Sequence, residues 1–148
     1  MDSESAARVD VRAVAPEAYR AMAAFDRSID LDPQLRELVR IRVSQLNGCA
    51  FCIDMHTRTA RAEGESEQRL YALAAWRESP LFDGRERAAL ELAEAITLIS
   101  HDGVPEETYA RAAKHFDSAE LANLILALTA INSWNRIAVS SKMIFSAA

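Results

Sequence analysis

Cys49-Ala50-Phe51-Cys52 and His56 place two thiols and an imidazole at spacings of three and four residues. If Cys49 opens a helix, about 100° of rotation per residue brings all three side chains within roughly 60° of arc. Free N–H groups in a helix's first turn, together with the positive end of its dipole, favour a thiolate over a thiol. An imidazole one turn further on can take the thiol proton. Such surroundings lower a cysteine pKa from about 8.5 to roughly 3.5–7.5, enough to populate the nucleophile at neutral pH. Helix position favours whichever cysteine lies nearer the free N–H groups, which leaves the two unranked. A base acts best when a further group holds it. Glu37, twelve residues before Cys49 on a helix that a short Asn47-Gly48 turn folds back against the cysteine helix, is a candidate, although spacing alone leaves it a solvated helix residue like most glutamates.

Three other readings compete. A structural disulfide closing four residues is worth only about 2 kcal/mol by loop entropy. A structural zinc site needs four ligands, and Cys49, Cys52 and His56 supply three with no second C-x-x-C pair or paired His. Two inert buried cysteines are the third reading, but a histidine one turn later on the same face argues against it. Dithiol–disulfide chemistry accounts best for the trio.

The elements that must position these residues are helical. Pro16 opens a segment through about Arg27. Asp32-Pro33 reads as an N-cap followed by proline at the first helical position, and Asn47-Gly48 as a stop. The cysteine helix then runs from Cys49 to Glu63, with Gly64 as its cap. Further helices are expected over Ser66–Trp76, about Arg85–Ser100 behind an Asp83/Glu86 capping box, and Pro105–Phe116. The longest runs from Asp117 or Ser118 through Asn135, reaching toward Ile144. Leu121–Leu128 is apolar nearly all round, so it should be covered on every side, either as the central helix of the bundle or in part by another subunit. Phe116, Ile131, Trp134, Ile137, Met143, Ile144 and Phe145 add to an apolar surplus that a closed homo-oligomer would hide. Tyr71 and Trp76 read as core aromatics, Met22, Met55 and Met143 as packing, and Trp134-Asn135-Arg136 as lining a site or contact, or as locally satisfied. His101 and His115, near helix ends, receive no function.

A chain of 148 residues, 50% hydrophobic and 26% charged, fits one globular domain, residues 1–148, with a core over about 16–142 and an N-terminal arm over 1–15. Four Gly and four Pro favour helices over many short strands. No basic cluster speaks for nucleic acid, the net charge being −5. No apolar run is long enough for a bilayer, and the N-terminus lacks a signal-peptide core, so a cytoplasmic location is expected.

Glu37, Cys49, Cys52 and His56 together read E-x11-C-x-x-C-x3-H, which resembles the signature of the alkylhydroperoxidase D group in the carboxymuconolactone decarboxylase superfamily. Leu35-Arg36-Glu37-Leu38-Val39, Asn47 to Cys52, His56-Thr57 and Ile131 to Arg136 are similar to segments of its single-core members, and the likeness spans about Pro16 to Lys142. It implies an all-α compact bundle of six to seven helices, assembled as trimers or hexamers, with no cofactor beyond the thiols. By this resemblance Cys52 attacks a hydroperoxide and becomes a sulfenic acid. Cys49 condenses with it to a disulfide, a lipoylated or thioredoxin-type protein reduces that disulfide, and His56 with Glu37 relays the proton. The sequence departs from the group's best-known peroxidase at Ala50-Phe51, where that enzyme has a histidine between its cysteines. Two alternatives are a lactone decarboxylase, whose relatives lack the cysteine pair, and a non-catalytic oligomeric redox-sensing or binding protein.

Overall fold

The computed structural model describes residues 8–147, so the first seven residues of the N-terminal arm lie outside it. Among the described residues every regular element is helical: α1 (Val11–Val14), α2 (Pro16–Ser28), α3 (Pro33–Asn47), α4 (Ala50–Ala62), α5 (Glu67–Ala72), a 3-10 helix (Leu73–Glu78), α6 (Gly84–Thr97), α7 (Ile99–Asp102), α8 (Glu106–His115) and α9 (Ser118–Ser141). The seven α-helices of six residues or more meet the expected six to seven, and α1 and α7 are single turns. No helix among these residues is long and apolar enough to cross a membrane.

Capping chemistry sets most boundaries. Asp32 accepts the Leu35 N–H at 2.9 Å and Pro33 takes the first helical position of α3, where its missing N–H costs nothing. Asp83/Glu86 and Asp117/Glu120 form reciprocal capping boxes at α6 and α9, satisfying donors that a helix start leaves free. Where no cap signal was present, the expectation was less accurate. Ser66–Trp76 is not one helix, because Ala75 leaves helical geometry (φ −122°, ψ 37°) and the second half tightens to 3-10. The helix expected to reach Ser100 stops at Thr97, and the last helix stops at Ser141, with Lys142 left-handed at φ 57°.

Helix α3 packs against α4, α6 and α9 and is the axis of the bundle. The larger core joins Leu35, Val39 and Val43 of α3 to Leu92, Leu124, Leu128 and Ile131 of α6 and α9. A second cluster gathers Leu38 and Ile41 with Leu73, Trp76, Phe82 and Leu90. Phe116 and Ile131 belong to the protomer's own core, so they do not contribute to a surface surplus. Tyr71 is 78% exposed and is not a core aromatic, whereas Trp76 is buried. Tyr71 falls on the outer face of a two-turn helix. The Trp76 indole N–H instead donates to Glu94 at 2.8 Å, which lets the ring go inside. In the protomer the apolar run of α9 is not covered all round, since Leu126 remains 41% exposed.

Leu124 and Leu126 therefore separate packing from composition. Leu124→Ala should lower unfolding stability by about 2–5 kcal/mol through a cavity. Leu126→Ala should cost far less in dilute solution, and paired urea titrations measure the difference.

Candidate functional site

The turn between α3 and α4 places the two cysteines. Gly48 adopts φ +65°, which ordinary side chains resist. Its N–H donates to the Gln45 carbonyl at 3.2 Å and that of Cys49 to the Ser44 carbonyl at 3.0 Å, the Schellman pattern for ending a helix. Cys49 is thereby delivered as the N-cap of α4 rather than its first helical residue, and its Sγ accepts the Cys52 N–H at 3.3 Å. The two sulfurs stand at disulfide distance, with Cα atoms 5.3 Å apart.

Cys49, Cys52 and His56 are all buried, as the helical spacing requires, but they do not have the same surroundings. Cys52 and His56 line a cavity of about 620 Å³, and Cys49 does not. The cavity is walled by α2, α4 and the end of α9, and also by residues on either side of them, including Arg12 of the arm and Ile144 of the tail. Trp134 lines it and meets Tyr19 edge-to-face at 5.2 Å. Met55 and Met143 also form part of its wall, not only packing, while Met22 packs against the larger core.

Glu37 and His56 meet across α3 and α4, with Glu37 Oε2 2.8 Å from His56 Nδ1. The other carboxylate oxygen accepts from Arg40 Nη1 at 2.8 Å, and Arg40 Nη2 reaches Asp26 of α2 at 2.9 Å. Arg36 Nε lies 3.8 Å from the same Glu37 oxygen. Burial pushes the Glu37 carboxyl up, but the His56 hydrogen bond and charge, then the Arg40 charge and hydrogen bond, outweigh it and hold it below 4.5. Ionised at neutral pH, Glu37 can only accept. The His56 Nδ1 therefore carries the hydrogen, and Nε2 is the nitrogen a neutral ring leaves free to accept.

Arg40 and Asp26 were missed by the sequence reading. A polar series at spacings of three and four along α3, Glu37-Arg40-Ser44-Asn47, could have revealed the first. Ser44 Oγ accepts from Asn135 at 3.0 Å, and Asn47 donates to Asn132 and Asn135 at 2.9 and 3.0 Å. Asn135 is fully buried in this seam and satisfied across helices by α3, whereas the Arg136 guanidinium bonds to Asn132 at the surface, so local satisfaction describes Arg136 alone. No group of three or more His, Cys, Asp or Glu among the described residues is arranged to hold a metal ion.

This all-helical architecture, with a C-x-x-C pair at a helix start, is an AhpD-like fold. Residues 16–95 match the carboxymuconolactone decarboxylase family, and the chain belongs to that family. It is 47% identical over 136 residues to the uncharacterized protein YdfG of Bacillus subtilis (strain 168), covering 90% of this chain and 92% of that protein. A solved structure from Agrobacterium tumefaciens, of unknown function and provisionally described as the antioxidant defence protein AhpD, matches with a TM-score of 0.92. It is 36% identical, over 96% of this chain and 99% of that one. The debrominase Bmp8 in complex with 2,3,4-tribromopyrrole shares the fold alone, at 17% identity and a TM-score of 0.76 over 88% and 70% of the two chains.

The depressed Glu37 pKa has a definite sign for stability. A carboxylate whose folded pKa lies below the unfolded 4.5 stabilises fully above about pH 4.5, and that stabilisation is lost as pH falls through the folded pKa. Glu37→Gln should cost roughly 1.5–3 kcal/mol at pH 7, the scale of charge-assisted hydrogen bonds. The gap to wild type should close as pH drops below about 4.5. Urea unfolding at pH 7, 5 and 3.5 measures it, and a gap independent of pH would contradict the assignment.

Proposed function

We propose that the protein is a thiol-dependent oxidoreductase that reduces a hydroperoxide through Cys52 and Cys49, with His56 and Glu37 as proton relay. The observation that carries this reading is that Cys52 shares its cavity with His56, whose ring is fixed through Nδ1 by an ionised carboxylate. In the reduced protein, Nε2 of His56 takes the Cys52 proton. The thiolate attacks the terminal peroxide oxygen and the O–O bond breaks, leaving Cys52 as sulfenic acid. The alkoxide leaves as alcohol with the proton held by His56. Cys49, already beside Cys52 at the helix cap, attacks the sulfenyl sulfur and releases water. The resulting disulfide is reduced by a dithiol protein of lipoylated or thioredoxin type. Overall, one hydroperoxide and two thiols give one alcohol, one water and one disulfide.

Consumption of an organic hydroperoxide, measured with a lipoyl or thioredoxin reducing system, tests the reaction. Wild type should turn over repeatedly and Cys52→Ser should not. One disulfide per subunit without turnover would instead identify a redox sensor, and lactone decarboxylation surviving loss of both cysteines would identify a decarboxylase.

The relay has its own readout. His56→Ala should shift the pH profile of Cys52 alkylation by iodoacetamide toward that of a free thiol, about 8.5. Glu37→Gln should shift it less in the same direction, and the double variant should be little worse than His56→Ala, because the carboxylate acts through the imidazole. An unchanged profile in His56→Ala would remove His56 from the mechanism.

Subunits of this protein assemble into a closed homo-oligomer, trimer or hexamer, in the same reading. Leu98, Ile99, Tyr109, Leu126 and Val139 are left 41–59% exposed on the protomer, which association would cover. Light scattering at micromolar concentration should give the mass of three or six chains, and a monomer would refute it.

A further inference from the structure

We infer that the cavity beside Cys52 is built for an amphipathic organic anion, an apolar chain or ring ending in a carboxylate, rather than for hydrogen peroxide or a neutral hydroperoxide. The inference rests on the proposed thiol chemistry only for what is done to the ligand, not for what is bound.

Size is the first argument. At about 620 Å³ the cavity lies within the roughly 300–1,000 Å³ typical of pockets for whole organic ligands. Hydrogen peroxide occupies little more than a water molecule, whose share of liquid is about 30 Å³, so such a volume would hold it without selecting it. Lining is the second. Around the thiol stand Tyr19, Phe51, Met55, Trp134 and Met143, aromatic and thioether surfaces that hold hydrocarbon and offer it little hydrogen bonding.

Charge is the third argument, and it decides the class. Three cations line the cavity, Arg8, Arg12 and Lys142, against two acids, Asp10 and Asp26. Asp26 is paired with Arg40 at 2.9 Å, and Asp10 caps α1 by accepting the Ala13 N–H at 3.1 Å while keeping its charge, so three cations face one acid that has no ion-pair partner among the described residues. Arg8 donates to the Ser140 carbonyl at 2.9 Å, which ties the arm to the end of α9, and it takes part in no ion pair among the described residues. Arg12 and Lys142 take part in no ion pair among the described residues. A chain with net charge −5 therefore presents a surplus of positive charge at this cavity. Cations at the arm and the tail, with apolar surface and the thiol beneath, match a ligand with one charged end and one apolar body. The reacting group would lie toward Cys52 and the carboxylate toward Arg12 and Lys142.

Calorimetric titration of the full chain carrying Cys52→Ser with octanoate, 1-octanol and octylammonium reads the charge preference without turnover. Octanoate should bind roughly three- to tenfold tighter than octylammonium, the range expected of one or two partly exposed ion pairs, and the difference should shrink at high salt. Arg12→Glu with Lys142→Glu, two exposed positions whose folding circular dichroism checks, should reverse the order. Trp134→Phe should remove the ligand-induced change in tryptophan emission, which locates binding in this cavity. Equal affinity for the three ligands, or an order unchanged in the charge-reversed protein, would overturn the inference. Octanoate binding as expected while no hydroperoxide is consumed would sink the peroxidase reading alone. Consumption of neutral cumene hydroperoxide as fast as of a carboxylated hydroperoxide, with no octanoate preference, would sink this one alone.

Discussion

A carboxylate with its side chain 2% exposed cannot remain ionised without partners, and most of the site's geometry follows from how Glu37 acquires them. One oxygen takes Arg40 and the other takes His56, so the charge is divided between its own helix and the next. Arg40 in turn holds Asp26, which brings α2 into the same cluster. Three helices are thus registered against one another by a single buried charge. Removing any member would leave another uncompensated in low dielectric, where an unpaired charge is costly. Such clusters are weak sources of net stability compared with hydrocarbon packing. What this one provides is orientation: the imidazole is fixed through Nδ1, and Nε2 is left out of the contact with Glu37.

The cluster continues as a polar seam along α3. Ser44 Oγ donates to the Arg40 carbonyl at 2.7 Å and accepts from Asn135, which also accepts from Asn47. Asn47 reaches Asn132, which donates to Thr97 of α6. Side chains at intervals of three and four on one helix therefore bind α4 at one end, and α9 and α6 at the other. The Asn47-Gly48-Cys49 turn lies at the end of this seam, and with α3 held from both sides the N-cap cysteine has little freedom. Apolar packing alone would tolerate a shift of α9 along α3. A fully satisfied polar seam does not, because sliding by one residue would orphan several buried groups at once.

Local chemistry explains how much of this was legible in the sequence. Asp32-Pro33, Asn47-Gly48 and Asp83/Glu86 are backbone signals acting within four residues, and the structure obeys them. The kink at Ala75 and the end of α6 at Thr97 carry no such signal. Arg87 holds that region by donating to the carbonyls of Trp76, Arg77 and Ser79 at 2.7–3.1 Å, contacts no sequence window contains. Glu37 was found from a family signature, whereas spacing alone would have left it a solvated helix residue. Arg40 and Asp26 are fourteen residues apart and meet only after α2 folds onto α3. Periodicity marks α9 as apolar all round without saying which face a neighbour covers. Phe116 and Ile131 proved to be inside, and Leu126 outside.

The same contrast separates the surroundings of the two cysteines. Cys49 is the cap: its sulfur is turned along the backbone to receive the Cys52 N–H, behind the cavity wall. Cys52 is one turn in, on the face that looks into the cavity with His56. A substrate entering that space meets Cys52 first and the imidazole beside it. Cys49 stands beside Cys52, at a Cα separation of 5.3 Å that suits a disulfide. This arrangement supports attack by Cys52 and resolution by Cys49 without appeal to relatives. It also accounts for Phe51, which lines the cavity between them. An aromatic ring there donates no proton, and it adds apolar wall where a histidine would have added a charge. In the proposed mechanism proton handling then falls to His56. Under the proposed function, such a site would exchange a second acid for apolar contact with the body of its substrate.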